Sequence, residues 1–449
     1  MRRKRPSSRM ALRLISLLAV LASLLLARRC RSDALSTPNS SIVPHHHACH
    51  LSLLVDENPE PQGNPGMLPC VSSDAELQDL YNETMDLDFA NWKDYVPLNR
   101  THIDKFMDRW KGYGWHQQSM ILIKDNKWYF PFHYHWNHTQ KTPDHYEDGI
   151  TLWVTATQYY FQRFASEIQF PDAFFFLSDQ DSGWCQSMFD CPIPAMSIAK
   201  RGPDKLDLLF PFMVTSDLPL YNFPFQLKHD RAFFVGRPNW GGSPKTFMVN
   251  GKPEMFFGRK HLANLSMSCP EEVYCALLGD PNLVPGARWV TEETPLREHA
   301  RWRYVMNLDG VTYAGRLARL MHTDSVILKE QSEWVEYYYR ALKEGTHYLS
   351  IFKNGPNDVL DVVRQWRDRP RDLQHIAFNS QAFAKRYLCP KARMLYFKRM
   401  LERYMEMFNG HDGRNAMKDF VNEVLMPIIE ARKNGDMSKT YFDMKPYKP

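Results

Sequence analysis

From residue 303 to residue 366 short apolar runs alternate with stretches of helical spacing, and no other feature of the 449-residue chain narrows its fold as far. Residues 303–308 read as a strand, 313–322 repeat apolar side chains at helical spacing, and 325–329 form a second apolar run. Residues 333–342 read as a helix, 347–352 as a third strand and 359–366 as a further helix. Strands spaced by helices in this way run parallel, because a parallel pair needs a long crossover. The class expected is α/β. A doubly wound sheet of this kind takes its ligand beyond the C-terminal ends of its strands, which puts 307–316 and 330–333 at the crevice. Two longer helical stretches, 373–388 and 393–408, close the body.

Upstream, Pro171-Asp172 and the apolar run to Leu177 read as a buried strand that delivers Asp179 and Asp181 to a loop. The run 232–237 is another buried strand, ending in Gly236 and Arg237, and it opens a second domain. We divide the chain into a basic, apolar leader at 1–31, a Pro/Ser/Asn-rich stem at 32–74, a first domain at 75–225, a second at 226–400 and C-terminal helices with a tail at 401–449.

The formal charge of +5 belongs to the leader, which holds nine Lys/Arg and no acid; the remainder sets 47 bases against 51 acids. That balance removes the electrostatic argument for a nucleic-acid partner. The uncharged run 14–27 behind Met-Arg-Arg-Lys-Arg has the pattern of a secretory leader. Extended back to Met10, it reads as an uncleaved type II membrane anchor; a cleaved signal and a transit peptide are the alternatives. Sequons at Asn39, Asn82, Asn99, Asn137 and Asn264 favour a lumenal chain. Cys185/Cys191 and Cys269/Cys275 are close pairs that an oxidising lumen can bridge, and unpaired buried thiols are the alternative. The expected address is the Golgi or ER membrane. His45, His46 and His47 in the stem, and His133, His135 and His138, lack the spacing and support of a metal site and read as solvated or packing residues.

The landmarks PDAFFFLSDQD, DLLFP, RYVMNLDGVTYAGRLARLMHTDSVILKEQSEWVEYYYRALKEGTHYL and QAFAKRYLCP, in this order, resemble glycosyltransferase family 90, the protein O-glucosyltransferases and capsule-associated xylosyltransferases. The resemblance covers about Pro171 to Leu401. It implies a GT-B-like architecture of two facing Rossmann-like domains, with the acceptor on the 75–225 side and a nucleotide sugar held by 226–400. It implies transfer of glucose or xylose from a UDP-sugar to a hydroxyl of a protein or glycan, with inversion and no cofactor. By its place after the Pro-Asp strand, Asp181 matches the family's general base.

Physical chemistry supplies roles for the rest. A sugar leaving UDP leaves charge on a diphosphate, which a fixed guanidinium such as Arg316 stabilises. Gly236, Gly310 and Gly315 let backbone approach phosphate, and Asn307 and Asp309 order the turn or reach the ligand. Arg319 reads as solvated. Glu333 and Glu336 are candidates for the ribose, with a solvated helix face as the alternative. Arg237 stands in for an arginine that the family places before the glycine. Asp179 and Asp181 also spell Asp-x-Asp, the pattern that holds a divalent ion in metal-dependent glycosyltransferases. We prefer the base reading, because Arg316 makes a metal redundant for charge stabilisation. A catalytically silent lumenal carbohydrate-binding protein is the reading from another class.

Overall fold

A computed structural model describes residues 66–112, 118–129, 134–137, 142–145, 152–178, 183, 185, 187, 191–202, 205–238 and 244–435, some of them by backbone alone. The leader, most of the stem with its histidines, His133, His138, Asp179 and Asp181 lie outside the described residues. Among those described, no helix is long and apolar enough to cross a membrane.

The first sheet begins with helix α1 (Arg100–Gly112) and strand β1 (Gln118–Lys124). β1 turns back into β2 (Lys127–Tyr129) through Asp125 and Asn126, with φ of 51° and 55°. Two consecutive left-handed residues match the right-handed twist of a tight hairpin, and Asp and Asn tolerate them best. A second hairpin, β3 (Tyr134–Asn137) and β4 (Thr142–His145), precedes helix α2 (Leu152–Phe164). Strand β5 (Ala173–Ser178) is buried along its whole length and runs antiparallel to β1. β6 (Met196–Ser197), β7 (Ala199–Arg201) and β8 (Leu208–Leu209) follow, and the sheet order is β2-β1-β5-β6-β8. It is a mixed sheet, whereas a Rossmann-like domain was expected there. The antiparallel pairing of β1 with β5 is the reason, and the Asp125-Asn126 turn extends that side of the sheet by adding β2 to β1.

The second sheet starts at β9 (His229–Gly236). A hairpin, β10 (Lys245–Val249) and β11 (Lys252–Phe256), turns at Asn250-Gly251, again with positive φ at both residues (50° and 76°). Helix α3 (Gly258–Ser268), β12 (Val273–Leu278), β13 (Arg288–Val290), helix α4 (Leu296–His299) and β14 (Trp302–Asn307) follow. After β14 come the single turn α5 (Leu317–Leu320), β15 (Val326–Glu330), β16 (Trp334–Glu336) and β17 (Leu349–Ile351). Helices α6 (Asp358–Trp366), α7 (Pro370–Tyr387) and α8 (Pro390–Glu406) follow, with shorter helices at Ala416–Phe420 and Met426–Lys433 after them. The order β13-β12-β9-β14-β15-β17 is parallel throughout. Numbered within the sheet it is 3-2-1-4-5-6, the doubly wound arrangement.

Alternation along the strands explains why both faces are covered. Phe233, Val235, Val305 and Ile327 enter one core, which continues into the first sheet. Their neighbours Ala232, Phe234, Tyr304, Met306, Val326 and Leu328 enter another, with Leu262 of α3, Val359 of α6 and Leu373 of α7. Successive side chains of a strand point to opposite faces, so unbroken apolar runs belong to a sheet buried on both sides.

Two expectations fail here. Residues 333–342 are not a helix: β16 pairs antiparallel with β7 and a 3-10 turn follows at Tyr339–Ala341. The run Trp334-Val335-Glu336-Tyr337-Tyr338-Tyr339 is aromatic and β-branched, and a strand partner far away in sequence overrides its helical spacing. Cys269 and Cys275 are free thiols, because Cys269 ends α3 while Cys275 is buried within β12. Cys185 is bonded to Cys191, and Cys70 to Cys389 across 319 residues.

Candidate functional site

β9 and β14 lie side by side, yet the chain leaves them toward opposite halves of the sheet, so a crevice opens beyond Gly236 and Asn307. A cavity of about 330 Å³ sits there. Its charged lining comprises Arg237, Arg259, Arg316 and Arg319 against a single carboxylate, Glu293. Four guanidiniums against one acid form a site for an anion.

Arg316 stands immediately before α5, which is one turn where a longer helix over 313–322 was expected. Tyr313 folds its ring back on Gly315, so the chain between Gly310 and Gly315 stays a loop. With so short a helix the dipole adds little, and Arg316 is held instead by its contacts. Its Nη1 donates to the Val235 carbonyl at 2.7 Å, and its guanidinium lies 4.8 Å from the centre of the Phe234 ring. A Cβ on Gly236 would stand 2.6 Å from Arg316 Nη2, so only glycine permits this approach. Burial, and then the charge of Arg259, pull the Arg316 pKa down to about 9, which leaves it a cation at neutral pH.

Arg259, the second residue of α3, was not anticipated. Its Nη2 donates to Leu308 O at 2.8 Å, its Nη1 to Arg237 O at 3.1 Å, and its guanidinium lies 5.5 Å from the same Phe234 ring. Burial lowers its pKa to about 10. Its buried Nε has no hydrogen-bond partner among the described residues. Two desolvated guanidiniums against one aromatic ring repel each other, and a bidentate anion held by both relieves that repulsion. The signal was present in Phe-Phe-Gly-Arg-Lys-His, residues 256–261, a glycine and a base at a helix start, but it follows an Asn-Gly hairpin that had gone unread.

Other expected residues divide between the cavity and its surroundings. Gly236 and Gly315 line it, as does Arg237, whose side chain is exposed at the rim. Arg319 also lines it, exposed. Asn307 is buried behind the cavity, and its Oδ1 has no partner among the described residues. Asp309 donates its backbone N–H to Glu330 Oε2 at 2.7 Å, and its carboxyl bonds Ser332. Glu330 in turn pairs with Lys245 of β10 at 3.2 Å. Burial, and then Asp309, push Glu330 up to about 7, and burial raises Asp309 as well. Glu333 is exposed, paired with Arg201 at 2.8 Å and outside the cavity. Glu336 is buried among Tyr337–Tyr339 and pushed up to about 7 by desolvation. His299 borders the cavity as a neutral ring: Nδ1 donates to Pro295 O at 3.0 Å and burial lowers its pKa to about 4.

Asp181 lies outside the described residues, but its surroundings do not. β5 ends at Ser178, three residues before it. Past it, a Cβ on Gly183 would stand 2.7 Å from Asp207 Oδ2, which also accepts the Cys185 N–H at 2.8 Å. Among the described residues no group of three or more His, Cys, Asp or Glu is placed to hold a metal ion.

The family model described as Glycosyl transferase family 90 matches residues 230–445, from the start of β9 past the last described helix. Residues 230–445 form a glycosyltransferase family 90 domain. The chain is 34% identical over 106 residues to mouse (Mus musculus) Protein O-glucosyltransferase 3, a match covering 24% of the chain and 21% of that protein. It is 27% identical over 216 residues to O-glucosyltransferase rumi of Drosophila pseudoobscura pseudoobscura, covering 48% of the chain and 49% of that protein. It thus spans between a fifth and a half of these relatives' length. Among solved structures, Anabaena HepE in complex with UDP-glucose is similar at 11% identity and a TM-score of 0.27, over 39% of this chain and 55% of that one. TarM is similar at 12% identity and a TM-score of 0.26, over 43% of this chain and 38% of that one. Both likenesses are slight, and this chain's fold rests on its own strand order.

Proposed function

We propose that this chain is a glycosyltransferase that moves glucose or xylose from a UDP-sugar to a hydroxyl of a protein or glycan, with inversion and without a metal. The cavity of four guanidiniums against one carboxylate carries the reading. Arg259 and Arg316 receive the diphosphate, Gly236 and Gly315 let backbone approach it, and the sugar projects toward the loop beyond β5. The acceptor oxygen attacks the anomeric carbon as the bond from that carbon to the diphosphate oxygen breaks. UDP leaves with the electron pair, and Asp181 takes the acceptor's proton. Charge developing on the leaving diphosphate falls on two fixed cations that need no reorganisation.

We read the two sheets as halves of a GT-B-like architecture. We place the chain at the Golgi or ER membrane as a type II protein with a lumenal catalytic body. The apolar leader, the sequons and the two disulfides support that address, since such bonds persist in an oxidising compartment.

The test is turnover of a UDP-sugar panel by the purified lumenal body, with and without chelator. Release of UDP from UDP-glucose or UDP-xylose, undiminished by chelator, is expected. Loss of activity on chelation would move the mechanism to a metal held by Asp179 and Asp181. UDP bound with no sugar turned over would leave a silent carbohydrate-binding member.

A further inference from the structure

We propose that the diphosphate of the donor binds together with a proton, taken from solvent by the Asp309–Glu330 carboxylate pair, and that Lys245 sets the pH at which this occurs. The inference rests on the donor reading given above and extends it to a group that touches neither sugar nor phosphate.

Glu330 is 4% exposed at the C-terminal end of β15. Charged groups face it from every side. From the turn after β14, Asp309 presents its N–H to Oε2 at 2.7 Å and a second carboxylate close by. From the hairpin, Lys245 Nζ stands 3.2 Å from Oε1. From α3, Gly258 approaches so closely that a Cβ on it would lie 3.4 Å from Oε1, and Arg259 follows directly. Lys329 is its neighbour on β15 and interacts with both carboxylates, with Glu336 beyond it. Two buried carboxylates therefore share Arg259 with the site that the diphosphate enters.

Like charges this close resist joint ionisation, so the pair titrates as a unit, with Glu330 already raised to about 7. An entering diphosphate raises the pair further by two routes: its own negative charge repels them, and it draws the Arg259 guanidinium toward itself. The proton that satisfies the pair comes from water and returns when UDP leaves. Of the cavity's own groups with a resolved shift, His299 is lowered to about 4, Arg316 to about 9 and Arg259 to about 10, so none has its midpoint near 7. Donor affinity should then fall as pH rises above neutrality, by up to about tenfold per pH unit for one proton taken up.

The experiment is calorimetric titration of the whole protein with UDP-glucose, without acceptor, across roughly pH 6.5 to 8.5 and in buffers of different ionisation enthalpy. UDP-glucose is the probe because its diphosphate has no proton to lose there. Wild type should take up a net proton fraction and bind more weakly at higher pH. Glu330→Gln should abolish the uptake and flatten the profile. Lys245→Met should move the fall in affinity to higher pH, because it removes a cation that holds Glu330 ionised, and Lys245→Arg should restore it. Binding that is independent of pH and buffer in wild type, or a wild-type slope in Glu330→Gln, overturns the inference alone. Absence of UDP-glucose binding at every pH overturns the donor reading and the inference with it.

Discussion

Two strands, β5 and β14, each run in sequence into a polar stretch that carries an aspartate, and the described chain near each is fastened by different physics. The turn after β14 is tied by charge: Arg259 holds Leu308 O, and Glu330 holds the Asp309 N–H. The chain after β5 is tied covalently, by the small Cys185–Cys191 loop, and by the single carboxylate of Asp207 on Cys185 N. Charge at the first turn suits a ligand whose own charge changes in the reaction, because the same guanidiniums that order the turn stabilise the leaving group. A covalent loop at the second suits a base, which must stay in place while its protonation changes. Under the proposed mechanism the first end handles the leaving phosphate and the second the acceptor's proton.

The sharpest way to separate the ends is Asp181→Asn. We expect turnover to drop by about 10²–10⁴ while UDP-glucose affinity holds, measured as UDP release beside calorimetric binding. Wild-type turnover in this variant would put the base elsewhere. Next in size is the seam that joins the two sheets. Lys200 on β7 and Arg340 just past β16 both contact Asp88 Oδ1 at 2.7 Å, with the Lys200 side chain fully buried and that of Asp88 4% exposed. Asp88→Ala strands two cations and should cost about 3–5 kcal/mol in urea unfolding. A loss below about 1 kcal/mol would mean that the cations reach water after all.

Gly236→Ala probes the donor end alone. The added methyl displaces the Arg316 guanidinium at a cost of about 1–3 kcal/mol, so UDP should bind roughly tenfold more weakly or worse. Unchanged affinity would show that Arg316 has room to move. Glu336→Gln tests the buried acid instead. A carboxyl raised from 4.5 to about 7 favours the fold at low pH and loses that contribution as pH rises through this range. The variant's stability relative to wild type should therefore grow by about 1.4 kcal/mol per pH unit at most across the window. A constant difference between pH about 5 and about 8 would refute the buried-acid account.

The arginine-lined crevice beyond β9 and β14 was readable because its signals are local. Apolar strands, helical spacing and a glycine-bounded turn at 303–330 all lie within one stretch, and parallel order follows from alternation. Arg316 and Gly236 came from that logic. Arg259 and Lys245 escaped because an Asn-Gly hairpin separates them from β9, and a hairpin inserted at a strand end hides the continuation of the site. Glu330 was within the stretch assigned to the crevice, but the more exposed Glu333 was singled out, since a chain read alone does not reveal which acid a strand end turns inward. The pairing of β16 with β7 and the Cys70–Cys389 bond are non-local, joining residues more than a hundred positions apart. Nothing in local spacing encodes them, and the aromatic run 334–339 satisfied two periodicities at once.

The central claim is that a diphosphate binds between Arg259 and Arg316 at the end of β9. Equilibrium binding of UDP to wild type, Arg259→Ala, Arg316→Ala and the double variant tests it most directly, because both guanidiniums share one ring and one ligand. We predict that each single variant weakens UDP by at least about tenfold and that the double falls short of the product of the two, as for residues that grip one group. UDP affinity unchanged in both single variants would contradict the account.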